Sequence, residues 1–264
     1  MSVGVTRRTL RPSIPQISFE PTPDRPWRWT NASHSAALNV TPDRVEMEAP
    51  LGTDWLRSAP APESWTEPEG LERRSAPAYM FPLQRNFRAS VRIQGRWHGD
   101  WDQACIFLLE GRGEGDDNGQ ETHGSWIKVG VEHDAGYEFV GTVLTNPNSD
   151  WSCYPLPFET AAVGVDHSKS LLVVIEKLSD HVWIWIGTGD DDDEDASDEY
   201  MSDGEEPSIQ GIRECKGFAV HTNEDSWWRL GVMTASPPGG AGKQGATGVF
   251  TDFRFEQVQT TEDS

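Results

Sequence analysis

A chain of 264 residues with a formal net charge of −21 and a pI near 4.6 repels phosphate backbones and anionic lipid surfaces, so neither nucleic acid nor membrane is an expected partner. Its 12 Trp and 10% aromatic residues supply a real core, which excludes a wholly disordered chain. No apolar run approaches the ~18 residues of a membrane span, and no secretory h-region follows Met1, so a cytoplasmic location is expected.

In chain order, residues 1–14 read as a loose N-terminal tail. Pro26 to Thr30 opens an aromatic, strand-like stretch, and Ala37 to Val40 is a short strand candidate. Thr53-Asp54-Trp55-Leu56 reads as a strand end or turn, and the proline-rich stretch after Ala59 as a loop. Phe87, Ala89, Val91 and Ile93 alternate inward along one strand. Gln103 to Glu110 is a buried strand, with Cys105 as a small core residue. A Gly-rich hairpin loop over 111–124 leads into Trp126 to Glu132. The turn Asp134-Ala135-Gly136 and a strand from Tyr137 to Thr145 follow. Leu171 to Glu176 is a central strand. The hairpin after it alternates His181, Trp183 and Trp185 with Val182, Ile184 and Ile186. Trp228 to Ala235 and Gly248 to Phe255 close the pattern, and residues 259–264 form a C-terminal tail.

About ten short strands with turns every 8–12 residues and no crossover helices predict an all-β fold: a two-sheet antiparallel sandwich, or jelly roll, over residues 15–258 as one domain. Into it is set an acidic insertion at 189–208. From Asp190 to Glu206 it carries about half of the net charge and almost nothing apolar, so it is expected to be a disordered, solvated hairpin excursion. A docking site for a basic protein partner is its functional alternative.

The stretch Trp126-Ile127-Lys128-Val129-Gly130-Val131-Glu132 is the most informative. With period 2, Ile127, Val129 and Val131 form a core face. Trp126, Lys128, Gly130 and Glu132 point the other way. That row offers an apolar plate, a donor, a gap and an acceptor, a combination suited to a ligand. The bland alternative is an exposed Lys–Glu pair on a sheet surface.

Several blocks together resemble a known family: Pro26-Trp27-Arg28-Trp29-Thr30-Asn31, Thr53-Asp54-Trp55, Trp126 to Glu132, Val143 to Ser152, Leu230 to Pro237 and Val249 to Phe253. They are similar to the concanavalin A-like family of unknown function that includes the fungal regulation-of-enolase protein. The resemblance covers about residues 15–258. It implies a lectin-like β-sandwich and a link to carbohydrate and central metabolism, with no catalytic mechanism established for the family as a whole. It also implies a short turn where this chain has its acidic insertion.

The glycosidase strand motif Glu-x-Asp-x-x-Glu is absent, as are GxSxG, CxxC and any His pair at metal spacing. No metal and no cofactor are therefore expected. Sugar faces stack on indoles, and sugar hydroxyls pair with carboxylates, amides and amines. The candidate ligand-binding residues are Trp126, Lys128, Glu132, Asn146, Asp150, Trp151, Trp183 and Trp185. The balance favours a non-catalytic binder of a carbohydrate-like or other small molecule, or of a protein partner. An enzyme of a fungal metabolic pathway (a cyclase, isomerase or hydrolase) would use Glu132 and Lys128 as acid and base. A scaffold acting through the acidic loop is the third reading.

Overall fold

Alternation of apolar and polar side chains dictates the architecture. The computed structural model describes residues 7–8, 14–31, 37–60, 70–112, 122–156, 170–189, 209–218, 226–239 and 244–259. Among these lie seventeen strands, numbered in chain order, and no helix. The larger sheet has eight strands. From edge to edge they are β1 (Arg7–Arg8), β15 (Ile209–Lys216), β14 (His181–Gly189), β13 (Ser170–Leu178), β8 (Phe87–Arg96), β17 (Ala246–Gln257), β4 (Arg44–Ala49) and β3 (Leu38–Val40). The second sheet has seven: β12 (Ser149–Pro155), β11 (Tyr137–Thr145), β10 (Thr122–Asp134), β9 (Asp102–Arg112), β16 (Ser226–Ala235), β7 (Ala78–Leu83) and β2 (Arg28–Thr30). A separate hairpin joins β5 (Trp55–Ser58) to β6 (Leu71–Arg74).

Neighbouring strands within each sheet are antiparallel, and the two sheets enclose one continuous core. Val91, Ile106, Val129, Val173, Ile184, Val232 and Phe250 belong to it. The fold is thus the two-sheet antiparallel β-sandwich expected from the alternation. The inward sets expected for β8, β10 and β14 are the observed ones.

The strand count was too low. The expectation of about ten missed β4, whose Val45, Met47 and Ala49 alternate inward and are at most 1% exposed. It also missed β7, in which the apolar run Ala78–Phe81 hides the alternation. Pro82 fits in β7 because β2 reaches only Met80, so no strand on that side asks for its N–H. Within the first fourteen residues, Arg7 pairs with Gln210 and Arg8 with Ile209 of β15. The acidic segment 190–208 lies outside the described residues, and the strands that flank it, β14 and β15, pair with each other.

Three features position the site. Residues Leu51 to Ser58 and Leu71 to Ala76 run over the outer face of the seven-stranded sheet. There Trp55, Ala76, Phe107, Leu109, Trp126 and Met233 form a second apolar layer. Each buried ring in it contributes about 2–3 kcal/mol. At the other side of the sandwich Arg213 of β15 clasps β11 and β12. It donates to Thr142 Oγ1 at 3.0 Å and Ser152 Oγ at 3.1 Å and pairs with Asp150.

Candidate functional site

Period 2 places Trp126, Lys128, Gly130 and Glu132 on one face of β10, as expected. That face is covered rather than open. Trp126 is fully buried, with Trp55 packed against it edge-on at 5.6 Å and the Arg57 guanidinium over its ring at 4.7 Å. Its indole N–H has no hydrogen-bond partner among the described residues. Arg57 is held in turn by Glu72 and by the carbonyls of Gly124 and Pro147.

Lys128 is 3% exposed and donates to Asp54 Oδ1 at 2.7 Å. The exposed Lys–Glu pair is therefore not what forms. Asp54 arrives from the covering strap and takes the ammonium. Burial opposes the Lys128 charge, but Asp54, Cys105 and Glu132 outweigh it and hold its pKa above the ordinary value. Lys128 stays a cation near neutral pH and does not serve as a base.

Glu132 is 7% exposed. Its Oε2 accepts the indole N–H of Trp151 at 3.0 Å, and its Oε1 makes no hydrogen bond among the described residues. Burial raises its carboxyl above the usual range, and Lys128 and the Trp151 bond only partly offset this. Two glycines make room. Gly141 on β11 lies diagonally opposite, and a Cβ there would overlap Glu132 Oε2. A Cβ on Gly130 would overlap the Ala104 carbonyl, so the row draws close to β9.

Trp151, at 49% exposure, stands beside this carboxylate with Phe139 edge-on at 6.2 Å. Trp101 is 40% exposed, and its carbonyl accepts from Gln103, which pairs with Glu132 across β9 and β10. Neither Trp101 nor Gln103 was among the expected site residues; Gln103 was read only as the start of a buried strand. Trp101 has a positive φ of 66° just before a strand, a position that periodicity does not address. The open end of the face is thus a half-exposed indole, a second exposed indole nearby and a nearly buried carboxylate with one unpartnered oxygen.

The remaining candidates lie elsewhere. Asp150 precedes Trp151 by one residue, so it points to the opposite face and pairs with Arg213. Asn146 is exposed in the β11–β12 turn. Trp183 and Trp185 pack with Leu172, Val174 and Ile209 on the outer face of the other sheet, with His181 stacked on Trp183 at 5.4 Å. The two sheets therefore separate them from Trp126. No group of three His, Cys, Asp or Glu with metal-binding geometry occurs among the described residues.

Residues 29–258 match DUF1349, a protein family of unknown function. The chain belongs to this family. A DUF1349 chain of this kind is 39% identical over 124 residues to Regulation of enolase protein 1 of Saccharomyces cerevisiae; the match covers 47% of this chain and 56% of that protein. The chain thus spans little more than half the length of this curated relative. A functionally unknown protein from Saccharomyces cerevisiae has the same fold at 21% identity, with a TM-score of 0.58 over 89% of this chain and 97% of the other. A Lotus tetragonolobus seed lectin gives a TM-score of 0.47 at 10% identity, over 92% and 98% of the two chains.

Proposed function

We propose that this DUF1349 chain is a binding protein that holds a neutral, hydroxyl-bearing small molecule of carbohydrate type at the Glu132–Trp151 end of its seven-stranded sheet. The observation that carries the reading is Glu132 itself. One carboxylate oxygen is fixed by Trp151 and the other has no partner among the described residues, beside an exposed indole. That second oxygen reaches solvent at the edge of the buried layer, where a ligand hydroxyl brought in by an apolar C–H face takes the place of water as its donor. The Lys128–Asp54 pair is neutral as a unit, so the carboxylates of Glu132 and Asp134 leave the site negative. That disfavours sugar phosphates and uronates. The likeness to a regulation-of-enolase protein supports a role in modulating carbohydrate metabolism; a cytoplasmic location is proposed with it.

One observation favours an enzyme instead. Burial raises the Glu132 carboxyl, which is what a general acid needs. Lys128 is then not its partner, because Asp54 holds it.

Titration of tryptophan fluorescence with neutral mono- and oligosaccharides, polyols and their phosphates tests the reading. Saturable binding of a neutral polyol, lost in Trp151→Ala and weakened about tenfold or more in Glu132→Gln, is expected. Binding that survives both substitutions, or tighter binding of the phosphates, overturns it. Turnover of the ligand that disappears in Glu132→Gln while affinity persists selects the enzyme.

A further inference from the structure

A concavity of about 390 Å³ lies away from Glu132, lined by Arg25, Phe81, Leu83, Gln84, Phe255 and Gln257, with Asp24 and Pro82 also in its wall. Pro82 pairs with Arg229 of β16, six residues along that strand from Ala235, which borders the Glu132 row. At about 3.3 Å per residue the two places are roughly 20 Å apart along the strand alone. The volume falls within the range of small-molecule pockets.

The floor is the end of the inter-sheet core, Phe81 and Phe255, whose rings meet edge-on at 5.0 Å. One wall is fixed by Gln257. Its Oε1 accepts the Gln84 N–H at 3.2 Å, and its amide donates to the Asn86 carbonyl. The rim is Arg25. Its backbone is pinned in a turn, donating to Thr22 O at 3.1 Å and accepting from Thr22 and Trp27 at 3.0 and 2.9 Å. Its guanidinium makes no hydrogen bond or ion pair among the described residues, and neither does the Gln84 side-chain amide. Arg44, Arg57, Arg88, Arg96, Arg213 and Arg254 each hold a carboxylate. In a chain of net charge −21, a guanidinium left unpaired at the mouth of an apolar groove is the exception.

We infer that this groove binds a small molecule with an apolar body and a single carboxylate. The body lies on Phe81, Leu83 and Phe255, and the carboxylate takes the Arg25 fork and the Gln84 amide. Asp24, in the same wall beside Arg25, disfavours a second negative charge.

The test uses the full-length protein, its backbone amide NMR spectrum, and 3-phenylpropionate beside the uncharged 3-phenylpropionamide. The acid is expected to shift the Arg25 and Gln84 amide signals saturably and to bind about tenfold or more tightly than the amide. Arg25→Leu is expected to abolish that difference, while Glu132→Gln leaves it unchanged. Equal affinity for acid and amide, undiminished acid binding by Arg25→Leu, or no shift of these signals at about 5 mM acid overturns the inference. The acid–amide comparison on the unmodified protein decides the matter even if Arg25→Leu folds poorly.

Discussion

Lys177 lies in the β13 row that otherwise carries Leu171, Val173 and Ile175 into the core, and it is 0% exposed. Burial, with Arg85 nearby, lowers its pKa from 10.5 to about 7, although Asp180 and Glu110 pull the other way. At about 1.4 kcal/mol per decade, charging Lys177 in the folded protein costs up to about 5 kcal/mol relative to the unfolded chain. The Trp228 ring, 4.5 Å from the ammonium, returns about 1–2 kcal/mol and leaves about 3. The sign follows from proton counting. Between about pH 7 and 10.5 the unfolded chain binds the proton and the folded one does not, so stability rises with pH across that window and is lost as pH falls through about 7. Lys177→Met removes the titration. It also removes one of the two donors to the Ser179 carbonyl, which keeps its bond from Arg85 Nε at 3.1 Å, at about 1 kcal/mol or less independent of pH. Urea unfolding followed by tryptophan fluorescence at pH 6.5, 8 and 9.5 reads both profiles. The variant's advantage is expected to shrink by about 1.5 kcal/mol or more from pH 6.5 to 9.5. Parallel profiles would refute the reasoning, because the slope depends only on a proton bound by one state and not the other.

Asp54→Asn leaves the Lys128 ammonium buried without its counter-charge and is expected to cost about 3–5 kcal/mol in denaturant unfolding; adding Lys128→Met should recover most of it. Glu132→Gln keeps an acceptor for Trp151 but removes a charge that burial disfavours. Since a raised carboxyl loses stability as pH rises through its folded pKa, the variant is expected to melt higher than wild type at pH 8, with little difference at pH 4; equal gaps at both would contradict this. Gly141→Ala drives a methyl into Glu132 Oε2 and is expected to cost about 1–3 kcal/mol and to free the Trp151 indole, seen as a red-shifted, more quenchable emission.

Much of this was legible locally. The faces of β8, β10 and β14 follow from period 2 alone, and so does the separation of Asp150 from Trp151, which the same rule would have given. What alternation does not specify is which sheet a strand joins or what covers its polar side. The β14 indoles repeat the Trp126 pattern yet lie on the opposite side of the sandwich. Asp54 is 74 residues from Lys128, and only the path of the strap brings the two within 2.7 Å. The pairing of Lys128 with Glu132, two turns of the pleat apart on one strand, was the local guess, and a non-local partner displaced it.

That displacement explains how one strand can be both core and site. A buried ammonium without a partner would empty or distort the face, so Asp54 and Trp55 close over Trp126 and Lys128 and make the middle of β10 rigid. Covering stops before Glu132, where Gly141 and Gly130 take side chains away instead of adding them. The carboxylate therefore sits at the boundary between a dry layer and solvent. It is desolvated enough for its hydrogen bonds to count, and one oxygen still faces outward. Under the proposed reading, a rigid strand ending in an under-coordinated acceptor beside a half-exposed indole leaves little ordering for binding to offset. Among the described residues the same geometry gives Glu132 no hydrogen-bonded acid or base partner, only the Trp151 indole.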